Sequence, residues 1–130
     1  MIIKTTAAAL EHVNITVSDP LRSAELMQEL FGWHIRWEGP SMSGGHTIHV
    51  GTESQYIALY SNDEVKAADP TFQKGEPMNH IGVMVDDLDR VEKSVIAAGL
   101  EPFNHDDYYP GQRFYFFDWN GIEFEVVSYA

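Results

Sequence analysis

The strongest constraint on this chain is that it contains one pattern twice. LEHVNITVSDP near the start and MNHIGVMVDDL in the middle both alternate apolar and polar residues over a strand's length and then reach an Asp that opens a helix. His12 stands seven residues before Asp19, and His80 seven before Asp87, so the halves superpose with an offset of 68 residues. After the first Asp come Pro20 and an apolar stripe, Leu21, Ala24, Met27, Leu30 and Phe31, which stops at Gly32. After the second, Leu88, Val91, Val95 and Ala98 form the stripe, and Gly99 ends it. Three short strands are expected behind each helix: Trp33–Trp37, His46–Val50 and Tyr56–Tyr60 in the first half, Leu100–Phe103, Arg113–Phe117 and Ile122–Val127 in the second. Each half reads βαβββ. Turn-rich EGPSMSGG and GTESQ separate strands in the first half, and a polar linker over roughly residues 62–77 joins the halves.

A single βαβββ unit cannot bury both its helix and a sheet face, so the two are expected to pack side by side as one domain spanning 1–130. Unit one covers about 10–61 and unit two about 78–128. The fold class is α+β, a mixed eight-stranded sheet curled around a shared cleft with its helices outside. The last two strands, QRFYFFDWNGIEFEVV, form a hairpin whose turn uses Asp118, Asn120 and Gly121.

Alternation places Ile122, Phe124 and Val126 on one face of the last strand and Glu123, Glu125 and Val127 on the other. A strand glutamate ordinarily faces water, but here two histidines occupy repeat-equivalent positions on strands expected to converge. His12, His80 and Glu125 together offer two imidazoles and a carboxylate, a donor set suited to a divalent first-row metal with positions left open. Glu123 shares the face of Glu125 but lies roughly 7 Å along the strand, beyond direct coordination, and a change there is expected to matter little.

The remaining composition narrows the partners. There are 8 Lys and Arg against 20 Asp and Glu, a formal charge of -12 that disfavours nucleic acid and anionic membrane surfaces and leaves a small molecule as the expected partner. No cysteine is present, so disulfides and thiolate ligands are excluded. No apolar run approaches a membrane span, and MIIKTTAAALEH lacks the sustained apolar core of a secretory signal, which makes the cytoplasm the expected compartment.

LEHVNITVSD, NHIGVMVDD and FYFFDWNGIEFEVV resemble the vicinal oxygen chelate superfamily, which includes glyoxalase I, fosfomycin-resistance proteins, bleomycin-resistance proteins and extradiol ring-cleaving dioxygenases. The resemblance implies metal binding by His12, His80 and Glu125, and pairing into a homodimer in which His12 can come from the other chain. Glyoxalase I-like members carry a fourth ligand on the last strand of unit one, where YIALY offers only Ala58 or Leu59. That departure points away from a glyoxalase-like lyase or isomerase and toward the dioxygenase and fosfomycin-resistance branches. Tyr115, ten residues before Glu125, matches the spacing of an active-site tyrosine in both. Dioxygenases of this kind also imply an acid/base histidine on a strand of unit one. His46 and His49, three apart, face opposite sides of their strand, and counting from Gly45 and Gly111 pairs His49 with Tyr115.

Arg113 shares the face of Tyr115, in position to meet a substrate carboxylate. Phe103, Tyr108, Tyr109, Phe114, Phe116, Phe117 and Trp119 are expected mostly as core and lid, with a few forming an apolar wall for a planar substrate. The expected activity is that of an extradiol dioxygenase-like oxidoreductase on a catechol-like substrate, with Fe(II) favoured and Mn, Zn or Ni as other ions. The alternatives are a fosfomycin-type transferase, which would need a cationic phosphonate site, and a metal-free binding protein of the bleomycin-resistance kind.

Overall fold

The computed structural model describes residues 7–67, 74–75, 77–108 and 111–130, without the side chains of 66, 67, 107 and 108. Part of the joining linker, the first residues of the lead-in and Tyr109 therefore lie outside the described residues, as does the side chain of Tyr108. Unit one runs β1 (His12–Thr16), α1 (Pro20–Phe31), β2 (His34–Ser41), β3 (Gly45–Gly51) and β4 (Tyr56–Ser61). After a short helix, α2 (Asp63–Ala67), unit two repeats the order: β5 (His80–Met84), α3 (Leu88–Ala97), β6 (Phe103–Tyr108), β7 (Gly111–Phe117) and β8 (Glu123–Ser128).

Both helices begin as the Asp residues dictate. Asp19 accepts a hydrogen bond from the Arg22 amide at 3.1 Å and Asp87 from the Arg90 amide at 3.1 Å, each satisfying a donor that the first helical turn leaves open. Gly32 closes α1 with φ 69°, its amide bonded to Gln28.

The eight strands form two four-stranded sheets, ordered β1-β4-β3-β2 and β5-β8-β7-β6. In each, the first strand lies parallel to the last and the other pairings are antiparallel. Among the described residues no strand pair joins the sheets, and the eight strands expected from two βαβββ units stand as two four-stranded mixed sheets. The helices meet at the junction of the units: Arg90 of α3 donates to the Leu30 carbonyl of α1 at 3.4 Å, and Phe31 packs 6.1 Å from Phe124 of β8. One apolar core consequently continues from Val17, Met27, Leu30 and Leu59 through Val91, Val95, Phe114, Phe116 and Phe124.

The largest departures from the expected bounds are in β2 and β6, both sheet edges, while the other strands shift by one or two residues at an end. β2 continues through Gly39 and Pro40, read above as turn; at an edge a proline removes no ladder hydrogen bond the sheet requires. β6 begins at Phe103 instead of ending there and uses polar NHDD, with the register shifting between Phe103 and Asp106 around Asn104 at φ 51°.

The β7–β8 turn ties the units together. Asp118 accepts from the amides of Asn120 and Ile122, both at 2.9 Å, and Gly121 completes the turn at φ 81°. Asn120 then reaches across: its carbonyl accepts from the Ser18 amide at 3.3 Å and its amide donates to Ser23 Oγ at 3.3 Å. Burial pushes the Asp118 carboxyl up, opposed by the hydrogen bonds from Asn120 and Ile122. Because Asn120 is buried, Asn120→Ala leaves its partners unsatisfied and is expected to cost about 1–3 kcal/mol. Urea unfolding beside the exposed control Asn14→Ala checks this, and equal midpoints would show that the turn is no latch. No helix among the described residues is long and apolar enough to cross a membrane.

Candidate metal centre

The side of each sheet away from its helix carries the candidate residues. On the second sheet, β5 and β8 run parallel with His80 opposite Glu123 and Gly82 opposite Glu125, while Tyr115 of β7 lies opposite Glu125. Gly82 offers no side chain, so Glu125 can lean across toward His80, and His80 Nε2 stands 3.1 Å from Glu125 Oε1. The other oxygen of Glu125 accepts from Arg113 Nη1 at 2.8 Å. Arg113, expected to meet a substrate carboxylate, is thus engaged with a carboxylate of its own sheet. Tyr115 packs edge-on to His80 at 5.9 Å, and Phe103 lies 6.0 Å from Tyr115 and stacks on Phe117 at 5.2 Å.

Glu123 is 3 % exposed, its Oε1 pairs with Lys74 at 2.9 Å and its Oε2 lies 3.7 Å from His80 Nδ1. The 7 Å spacing along β8 places Glu123 beyond Glu125's position but directly across from His80.

The first sheet presents a ring ladder. His12 stacks on Tyr56 at 4.8 Å, His49 stacks on Tyr56 at 4.5 Å, Trp37 lies 5.0 Å from His49, and the Arg36 guanidinium sits 4.4 Å over the Tyr56 ring. His49 lies opposite Ala58 as Tyr115 lies opposite Glu125, so the register equates the two residues. Ala58 stands where Glu125 stands, and it supplies no ligand. His46 is turned to another neighbour, 3.2 Å from Glu38. Exposed His34 pairs with Glu53, and exposed His105 pairs with Glu92 of α3. The other aromatics divide by position: Phe114 and Phe116 are fully buried, and Trp119 lies beneath the Arg22 guanidinium.

Burial, followed by the positive neighbours His12 and Arg36, lowers the His49 pKa below the ordinary 6.5. Protonating it therefore costs the folded state: its contribution to stability is whole above 6.5 and is lost as pH falls through the lower folded value. A histidine NMR titration should find His49 with a midpoint under 6.5, and a midpoint above it would contradict this environment.

One chain does not bring all three candidate ligands together. Among the described residues no group of three or more His, Cys, Asp or Glu side chains is placed to hold a metal ion. His80 and Glu125 meet, whereas His12 remains with Tyr56 on the other sheet. The units are joined through their helices and the Asn120 turn, and that union does not close the two polar faces on one ligand set.

The residues nonetheless fit a cation. His12 Nδ1 is 2.9 Å from Glu11 Oε1 and His80 Nδ1 is 2.8 Å from Asn79 Oδ1, so in both units the preceding side chain occupies Nδ1. A neutral imidazole has one N–H, and with that proton on Nδ1 the Nε2 lone pair of His80 faces a carboxylate oxygen, an arrangement a cation between them satisfies.

The comparisons agree with this architecture. The profile of the Glyoxalase/Bleomycin resistance protein/Dioxygenase superfamily matches residues 9–126, and the chain belongs to that superfamily. Among solved structures it is similar to a glyoxylase/bleomycin resistance protein/dioxygenase domain from Frankia sp. EAN1pec, with TM-score 0.80, 21% identity and coverage of 95% of this chain and 98% of that one. It is also similar to the fosfomycin resistance protein FosX from Listeria monocytogenes complexed with Mn(II) and sulfate (TM-score 0.70, 17% identity, coverage 95% and 93%). FosX from Mesorhizobium loti gives TM-score 0.67 at 21% identity, covering 93% and 91%. At these identities the likeness is one of fold. No match was found among curated proteins.

Proposed function

We propose that the chain is a metal-dependent enzyme of this superfamily whose site combines His80 and Glu125 of one chain with His12 of a second copy, and that it acts as an extradiol dioxygenase-like oxidoreductase on a small catechol-like substrate. The observation that carries the reading is the His80–Glu125 pair, 3.1 Å apart, with the far side of each ligand already engaged by Asn79 and Arg113.

Shared construction is supported by topology. β1 and β5, the strands of His12 and His80, are both edge strands. A groove of about 380 Å³ runs between them, lined by His12, Val13, Tyr56, Ile57, Gly82 and Met84. Leu10, Val13 and Met84 are exposed apolar residues beside those edges, suited to burial against a second copy. A homodimer gives two such sites.

A divalent ion bound there would supply Lewis acidity, stabilising the negative charge of two adjacent substrate oxygens. Around it, Tyr115 is placed across the strand from Glu125 to hydrogen-bond a substrate oxygen. His49, held neutral near neutrality, accepts a proton at its ring and arrives with His12 from the same chain. The wall formed by Phe103, Tyr115 and Phe117 suits a planar ring. Arg113 and Lys74 are both engaged by carboxylates, which supports an aromatic substrate over a phosphonate. The Mn(II) in the FosX structure makes that ion a first one to test beside Fe(II).

Metal analysis of protein purified without chelators, followed by oxygen uptake with a panel of catechols, tests the proposal. Bound Fe or Mn and catechol-dependent oxygen uptake are expected. Bound metal without uptake would reject the dioxygenase reaction, and absence of any bound or bindable metal would favour the metal-free binding protein.

A further inference from the structure

β2 carries an irregularity beside the ring ladder of the first sheet. Its register with β3 pairs Ile35 with Val50 and Trp37 with His49, so Arg36 is an extra residue with no partner opposite it. Strict alternation would put Ile35 and Trp37 on one face and Arg36 on the other. Instead Ile35 packs against the core, while Trp37 reaches His49 and the Arg36 guanidinium lies 4.4 Å over Tyr56, whose ring stacks on both His12 and His49. The bulge thus turns two neighbouring side chains toward the rings of the candidate site, and one of them is a cation.

Arg36 is exposed, and among the described residues no carboxylate lies within ion-pair distance of it. Glu11 and Glu38, flanking it in sequence or on adjoining strands, are taken by His12 and His46, whereas the other cations of the site, Arg113 and Lys74, are held by Glu125 and Glu123. The repeat offers no counterpart. Phe103 stands opposite Tyr115 as Trp37 stands opposite His49, and the residue before Phe103 is Pro102, so a cation here is not something each unit needs in order to fold. A guanidinium over an aromatic ring keeps N–H donors for a carboxylate, which it can meet through two parallel hydrogen bonds. One guanidinium matches a single negative charge. We propose that Arg36 is a substrate-binding residue that receives a carboxylate carried on the aromatic substrate, so that the site takes catechol carboxylates in preference to neutral catechols. The inference rests on the shared-site reading, in which Arg36 arrives with His12 and His49 from one chain, and it names the substrate class of that site.

Calorimetry on the full chain with Mn(II), under argon so that no turnover intervenes and at about pH 7.5 where a carboxyl is ionised, compares 3,4-dihydroxybenzoate with 3,4-dihydroxybenzyl alcohol. The two share ring and diol and differ in charge. The parent should bind the carboxylate about fivefold or more tighter, and Arg36→Gln should bring the ratio to about one. Arg36→Lys, which keeps the charge and loses the planar fork, should retain part of the preference. If Arg36 merely clamps Tyr56, Arg36→Gln weakens both ligands alike and keeps the parental ratio, which overturns the proposal. A parental ratio within about twofold of one, or binding of neither ligand, also overturns it, whether or not the variants fold. Should an Arg36-dependent preference appear in protein that binds no Mn(II), the metal reading fails and the carboxylate subsite stands. If Mn(II) binds and neutral catechols drive oxygen uptake without any preference, the subsite alone fails.

Discussion

Glu125→Gln is expected to remove the stabilisation of this protein by Mn(II) or Fe(II). The substitution keeps the shape of the side chain but removes the charge that holds a cation. It also leaves Arg113 facing a neutral carboxamide instead of the carboxylate now 2.8 Å away. Losing a direct ligand should cost more than the 10–100-fold in affinity that follows loss of an outer partner. In the parent, metal at 100 times its Kd should add about 2.7 kcal/mol, read as a rise of several degrees in Tm. Protons compete for the same donors, so the rise should be clear at about pH 7.5 and largely gone by about pH 5, below the range where free imidazole titrates. A Tm that rises equally in Glu125→Gln and parent would remove Glu125 from the site.

Much of this fold was legible because the chain states it twice. The offset between His12 and His80, the Asp caps and the apolar stripes of α1 and α3 are local signals, and each unit follows from them. Edge strands were less legible: Gly39-Pro40 in β2 and NHDD in β6 contradict strand propensity, but an edge strand needs only one partner, and pairing with β3 and β7 overrides composition. The short helix α2 carried no apolar periodicity to reveal it.

The site divides along the same line. His80 and Glu125 meet because the parallel register of β5 and β8 sets Glu125 opposite Gly82, two residues from His80 on the same face. Repeat counting favours His49 over His46, and the register with Ala58 equates it with Tyr115. What alternation could not supply is cross-strand adjacency. Glu123 lies across from His80 although it is two residues along β8 from Glu125, and Arg113 reaches Glu125 from the neighbouring strand. Nor could alternation show how the units join. The core linking α1, α3 and β8 depends on faces that both the helices and the sheets leave apolar.

His12→Ala should therefore abolish metal stabilisation as fully as Glu125→Gln, although His12 shares no sheet with Glu125. Light scattering should give twice the 14.7 kDa chain mass at micromolar concentration, and a monomer would remove the means of completing the site. The decisive measurement mixes these two defective variants, unfolds and refolds them together, and titrates Mn(II). In a heterodimer the intact His12 of one chain meets the intact His80 and Glu125 of the other. Half of randomly formed dimers then carry one complete site, and binding should return to about a quarter of the parental sites. A site built within one chain would be broken in every molecule of the mixture, and no recovery of Mn(II) binding would contradict the account.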